Sequence, residues 1–152
     1  MRDRAEALAE IAEALPEIIR GLGAGHPMTG REWELTLAQM RALQVVGDQA
    51  VCTMGELAHR LGISLSAATG LADRLVEQGL VEREADPADR RLVCLRVAAA
   101  GKRARAIMRK EKRRRVEAML GGLSGPELEQ IVDSLALLRR AVSKSPNMEE
   151  QP

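Results

Sequence analysis

Apolar residues recur at three- and four-residue steps through much of the chain, and that spacing predicts helices. Leu8, Ile11, Leu15, Ile18, Ile19 and Leu22 form one stripe between Ala5 and Leu22. Pro16 lies inside this segment as a point of kinking, and Gly21-Leu22-Gly23-Ala24-Gly25 closes it in a loop. A second helix is expected to open near Thr36, where Gln39 completes a capping box, and to run through Met40, Leu43 and Val46 to Gly47. Thr53-Met54-Gly55-Glu56 is another capping box, opening a short helix with Leu57, Ala58 and Leu61 inward. Gly62-Ile63-Ser64 predicts a tight turn, and Ser64 caps a helix that ends at Gly79. In that helix Ala68, Leu71, Ala72 and Leu75 make the buried stripe, while Ser66, Thr69, Gly70, Asp73 and Arg74 fall on the other side.

The pattern then changes. Leu80–Ala85 and Leu92–Val97 read as two strands around the turn Asp86-Pro87-Ala88-Asp89-Arg90-Arg91. A long helix follows from about Ala98 to Gly121. Ser124-Gly125-Pro126-Glu127 is a capping box that starts a last helix, with Leu128, Ile131, Val132, Leu135, Leu138 and Val142 on one face. Residues after Lys144 read as a disordered tail.

A short helix, a glycine turn, and a longer helix with a small polar outer face make the helix-turn-helix plan, in which the second helix enters the major groove. Small residues let the backbone approach base edges, and Ser, Thr and Arg supply donors and acceptors there. A hairpin directly afterwards is a wing. The fold class is therefore mainly α with a small β wing, a winged helix-turn-helix lobe plus a helical dimerisation lobe. The expected divisions are 1–34 (N-terminal helix and loop, dimerisation), 35–97 (DNA-binding lobe), 98–143 (linking and C-terminal dimerisation helices) and 144–152 (tail).

Composition narrows the function. A chain of 152 residues can bury about 70% of its unfolded surface, so folding needs neither disulfide nor metal. Hydrophobic residues at 45% and charged residues at 30% fit a soluble globular protein. No apolar run approaches the ~20 residues of a membrane span. Met1-Arg2-Asp3-Arg4 does not open a signal peptide, so a cytoplasmic protein is expected. One Trp with no Phe or Tyr argues against a sugar site or a single-strand stacking platform. Cys52 and Cys94 lack metal-motif spacing, and the histidines are only His26 and His59. There is no nucleophile–base pair, phosphate loop or metal cluster, so neither an enzyme nor a cofactor is implied.

The net charge of +1 is unevenly spread. Residues 1–52 carry five Lys/Arg against eight Asp/Glu, residues 53–116 carry fifteen against eight, and residues 117–152 carry three against six. A basic middle between acidic ends points to a polyanion partner. Nine of its basic residues lie in 102–115, however, and a solvated charged helix accounts for them equally well.

The stretch MGELAHRLGISLSAATGLADRLVEQGLVEREADPADRRLVCLRV, followed by AAAGKRARA, resembles the MarR family of winged-helix transcriptional regulators. The resemblance runs from about Leu35 to Val142. Its most specific part joins Ser66-Ala67, Leu75 and Gly79-Leu80-Val81 to Asp86-Pro87-Ala88-Asp89-Arg90-Arg91. It implies an obligate homodimer built from N- and C-terminal helices and bound to a pseudo-palindromic double-stranded DNA operator. At the wing it implies that Asp89 buttresses Arg91, which enters the minor groove. Read with the helix pattern, the expected DNA contacts are Ser64, Ser66, Ala67, Thr69, Gly70, Arg74, Asp89, Arg90 and Arg91. The expected dimer contacts are Leu8, Ile11, Leu15 and Ile18 with Ile131, Leu135, Leu138 and Val142. Two positions depart from the family: Leu65 where a polar or basic residue is frequent, and Gly70 where a basic one is. Leu65 can instead meet thymine methyls.

Four alternatives stay open at this point. The apolar stripe of the last helix either packs within its own chain or, with the first helix, pairs two copies. Cys52 and Cys94 are either small buried hydrophobes or a thiol sensor. Met28 and Trp33 either pack in a core or interface or contact an aromatic-acid effector, as the family resemblance implies. The whole chain is a repressor released by a small molecule, an effector-independent DNA-binding protein, or a winged-helix protein-interaction module.

Overall fold

The computed structural model describes residues 2–21, 32–86, 88–89 and 91–144. Its elements in chain order are α1 (Arg4–Gly21), α2 (Leu37–Gly47), β1 (Cys52–Thr53), α3 (Met54–Leu61), α4 (Leu65–Glu77), β2 (Val81–Ala85), β3 (Val93–Val97), α5 (Ala99–Leu120) and α6 (Gly125–Lys144). They divide into two compact units, Met1–Arg113 and Arg114–Pro152. The loop expected after Gly21, with His26 and Met28, lies outside the described residues, as do Pro87, Arg90 and the tail beyond Lys144.

In the first unit, local signals decide where helices begin. The Thr36 hydroxyl accepts the Gln39 N–H at 3.3 Å, and the Gln39 side chain accepts the Thr36 N–H at 2.8 Å. Gln39 is buried, so the same bond satisfies a polar group in apolar surroundings. Thr53 and Glu56 repeat the arrangement at α3, at 3.2 and 2.7 Å. Between α3 and α4 the chain reverses through Gly62, whose φ of +64° is the left-handed conformation that a Cβ disfavours.

The sheet has three strands in the order β1-β3-β2, all pairs antiparallel. Register runs from Val81↔Val97 to Ala85↔Val93, and β1 adds Cys52↔Leu95 and Thr53↔Cys94. Both hairpin strands start one residue later than the pattern predicts, because Leu80 and Leu92 are turn residues. Leu80 donates its N–H to the Leu75 carbonyl at 2.9 Å, and Leu92 donates to the Asp89 carbonyl at 2.9 Å.

Leu35, Leu43, Val46, Leu57, Leu75, Leu80, Val81 and Leu95 form the core, with Ala42, Ala68, Ala72 and Ala104 where helices approach closely. Leu71, expected in the buried stripe of α4, is only partly covered. Trp33 is buried in this core, and the Arg103 guanidinium lies 5.7 Å from its ring centroid. Arg105 donates to the Gly47 carbonyl at 2.7 Å and to Asp48 at 2.8 Å. A cation is favoured at that helix C-terminus. Two of the nine basic residues in 102–115 are thus engaged in packing α5 onto the lobe.

Gly101 marks the tightest approach of α5. A Cβ there would stand 2.1 Å from the Leu80 carbonyl oxygen and 2.8 Å from Val97 Cγ1. That carbonyl already accepts the Ala98 N–H at 3.0 Å and cannot withdraw without breaking the helix start. Gly101→Ala should therefore destabilise the lobe by about 1–3 kcal/mol, measured by urea unfolding. An unchanged midpoint would mean that the backbone yields freely at this contact.

In the second unit, Ser124 opens α6, but the expected capping box forms only in part. Glu127 accepts the Ser124 N–H at 2.7 Å, while the serine hydroxyl donates to the same carboxylate at 2.7 Å. A hydroxyl bonded to an ionised carboxylate makes a stronger hydrogen bond than one accepting from an amide. Neither α1 nor α6 has a buried residue, and Pro16 lies within an unbroken α1. Among the described residues, no helix is long and apolar enough to cross a membrane.

Candidate nucleic-acid interface

The outward side of α4 is built by its inward one. Ala68, Ala72 and Leu75 are buried against the core, which turns Ser66, Ala67, Gly70 and Arg74 to the surface and leaves Thr69 and Asp73 half-covered at its edge. Ser64 precedes the helix and caps it, its Oγ accepting the Ala67 N–H at 3.1 Å. Thr69 Oγ1 donates to the Leu65 carbonyl at 2.8 Å. Among the described residues, Arg74 has no ion-pair partner.

Beside this helix stands the β2–β3 hairpin, its base held by buried Leu80, Val81 and Leu95. Its tip is organised by two carboxylates. Asp86 accepts the N–H groups of Ala88 at 2.6 Å and Asp89 at 3.0 Å, and the Cys94 thiol donates to it at 3.3 Å. Asp89 accepts the Arg91 backbone N–H at 3.0 Å, and its two oxygens take Arg91 Nε at 3.1 Å and Nη2 at 3.2 Å. The arginine is thereby fixed in direction while its side chain stays 90% exposed. Arg83 on β2 pairs with Asp73 on α4, tying wing to helix.

These features coincide with a family profile. The MarR family matches residues 33–92, the stretch from Trp33 to the end of the wing turn. The HTH-type transcriptional regulator YsmB of Bacillus subtilis is 34% identical over 102 residues, which cover 64% of this chain and 67% of that protein. The chain belongs to the MarR family. It is a DNA-binding transcriptional regulator and not an enzyme. A MarR family protein from Bacillus stearothermophilus has the same fold at 26% identity and a TM-score of 0.70, with 95% of this chain and 99% of that one aligned. BpsR of Bordetella bronchiseptica, whose DNA binding is regulated by 6-hydroxynicotinic acid, shares the fold at 24% identity and a TM-score of 0.60 over 86% of this chain and 98% of its own.

Within this MarR-family frame, the structure brings Ser66, Ala67, Thr69, Gly70 and Arg74 together on α4 with Ser64 at its cap, and places Asp89 and Arg91 on the adjoining wing; Arg90 lies outside the described residues. Two connections escape a reading by sequence: Asp73–Arg83 and Cys94–Asp86. They pair residues ten and eight positions apart; hairpin register is a signal for Cys94–Asp86 alone, because Asp73–Arg83 joins a helix to a strand. Burial pushes the Cys52 and Cys94 thiols up from their ordinary range, and for Cys94 the hydrogen bond to Asp86 adds to the effect. Both therefore stay as protonated thiols near neutral pH, as buried apolar residues do. Among the described residues, no cluster of His, Cys, Asp and Glu could hold a metal.

Backbone N–H groups of Ala88 and Asp89 hold the Asp86 carboxyl below its usual range, and Arg91 does the same for Asp89. For such depressed groups, the stabilisation is complete above the unfolded value of about 3.9 and is lost only as pH falls through the lower folded value. Amide NMR shifts of Ala88 and Arg91 should therefore stay constant from about pH 8 to 5 and move only in acid, below the ordinary aspartate value. A titration at or above that value would show that these bonds do not hold the tip.

Proposed function

We propose that the chain acts in the cytoplasm as a homodimeric repressor that holds a pseudo-palindromic double-stranded operator and releases it when a small molecule binds. In each half-site, α4 enters the major groove with Ser64, Ser66, Ala67, Thr69, Gly70 and Arg74. The wing brings Asp89, Arg90 and Arg91 to flanking phosphates or to a narrow minor groove, where negative potential is enhanced.

The observation that carries this reading is the Asp89–Arg91 pair. An arginine side chain this exposed gives up rotamer freedom when held by two carboxylate oxygens, and an exposed ion pair returns little stability. The arrangement makes sense as preparation for an anionic partner outside the chain.

Dimerisation is supported by the apolar stripes left uncovered. Leu8, Ile11, Leu15 and Ile18 on α1 are 38–52% exposed, and Leu135 and Val142 on α6 are 53% and 74% exposed beside partly covered Ile131 and Leu138. A second copy that covers such stripes also supplies the two-fold symmetry of a palindromic site. Release by a ligand is supported by BpsR, and requires that the ligand bind two arrangements of the dimer with different affinity. Trp33 is the candidate contact, together with Met28. Because Trp33 is a core residue under Arg103, its part in a switch is to repack.

The test is binding of the purified protein to DNA from upstream of its own gene, titrated against salt. Tight binding with a steep salt slope, poorly competed by random duplex, is expected. Equal affinity for random duplex would overturn the sequence-specific reading. Small aromatic acids added to the same assay should lower affinity if the release mechanism is right.

A further inference from the structure

The outer chemistry of α4 names a base. From Ser64 to Asp73 there is no Arg, Lys, Asn or Gln, the side chains that pair bidentately with guanine or adenine in the major groove. The hydroxyls there are largely committed to the helix itself: Ser64 accepts the Ala67 N–H, and Thr69 donates to the Leu65 carbonyl. Only Ser66 keeps an unengaged hydroxyl. What faces outward at the first helical position is Leu65, a large apolar side chain left 57% exposed. At Gly70 an added Cβ would meet nothing within 4 Å. No packing inside the chain calls for that glycine, which weakens the helix while letting its surface sink toward whatever lies outside. Arg74, one turn beyond Gly70 on the outer face, sets the sign of that partner as anionic.

We infer that Leu65 is a specificity-determining residue that reads thymine through its C5-methyl group, so that T·A pairs are specified under the first turn of α4. This rests on the DNA-binding reading above and extends it to the base. The N-terminal residues of a recognition helix are those that meet base edges. The thymine methyl is the apolar group on the major-groove edge that a leucine can cover. Ser66 beside it supplies one hydroxyl, which suits either kind of base.

The experiment selects duplexes from a random pool with the full-length protein at fixed salt, then resynthesises the selected duplex with each thymine replaced singly by deoxyuridine. One thymine per half-site should lose about fourfold in affinity without its methyl, the factor that burying one such group is worth. The salt slope should not change, because the phosphate contacts remain. With Leu65→Ala, the same replacement should have no effect, and the exposed position leaves thermal stability unaltered. Leu65→Met should keep the thymine preference. Invariant G·C pairs under the first turn, or a methyl effect that survives Leu65→Ala, would overturn the assignment but leave sequence-specific binding standing; Leu65 would then belong to a surface that meets protein. A pool with no enrichment at all would sink both readings together.

Discussion

An Arg91→Ala protein is expected to bind its operator at least about tenfold more weakly, a change of about 1.4 kcal/mol, and to lose its preference for A·T pairs beside each half-site. The side chain is aimed by Asp89 through Nε and Nη2, so its removal takes away an oriented cation. In a dimer both wings lose it. Each lost phosphate contact should lower the salt slope by about one. Asp89→Asn separates aim from charge: the arginine remains but loses its ionised partner, so affinity should fall less and the salt slope should hold. Fluorescence anisotropy at several salt concentrations reads all of these. An Arg91→Ala protein with native affinity and slope would mean that the wing does not touch DNA.

Leu135→Lys should turn the proposed dimer into monomers by light scattering. The residue is 53% exposed in the middle of the α6 stripe, and in a two-fold interface one substitution enters twice. Two ammonium groups would then be drawn from water without partners, a penalty of several kcal/mol each. Operator affinity should fall with the dimer, since two linked half-sites gain from an effective concentration that free monomers lack. Leu137→Lys is the control: this leucine is 59% exposed but two positions along the helix, away from the stripe. It should leave the assembly intact. Dimers that persist in Leu135→Lys would mean that this face is not the interface.

Much of the lobe was legible because its signals are local. Thr36 with Gln39, Thr53 with Glu56, and Ser64 each fix a helix start within four residues, and the Asp-rich turn announces the hairpin. The residues of the candidate interface were legible for the same reason, as the small or polar side chains opposite Ala68, Ala72 and Leu75. Their engagement was not: nothing in the pattern tells that the Thr69 hydroxyl is turned back on the Leu65 carbonyl. Long-range packing was also hidden. Arg105 looked like one cation among nine, and its bond to Gly47 spans 58 residues. The place of Gly101 against Leu80 depends on where a helix lands on a strand end, which no local rule encodes.

The join between α4 and the wing has a consequence for how a site is found. Buried Leu80, Val81 and Leu95 anchor the hairpin base, Asp73 and Arg83 brace it from the side, and Asp86 and Asp89 stiffen the tip. Helix and wing therefore behave as a two-pronged fork with a set gauge. If Leu65 and Arg91 meet DNA as proposed, the distance between the bases under one and the groove under the other becomes a fixed ruler. A half-site with both elements correct but one base pair too far apart should be rejected as firmly as one with a wrong base.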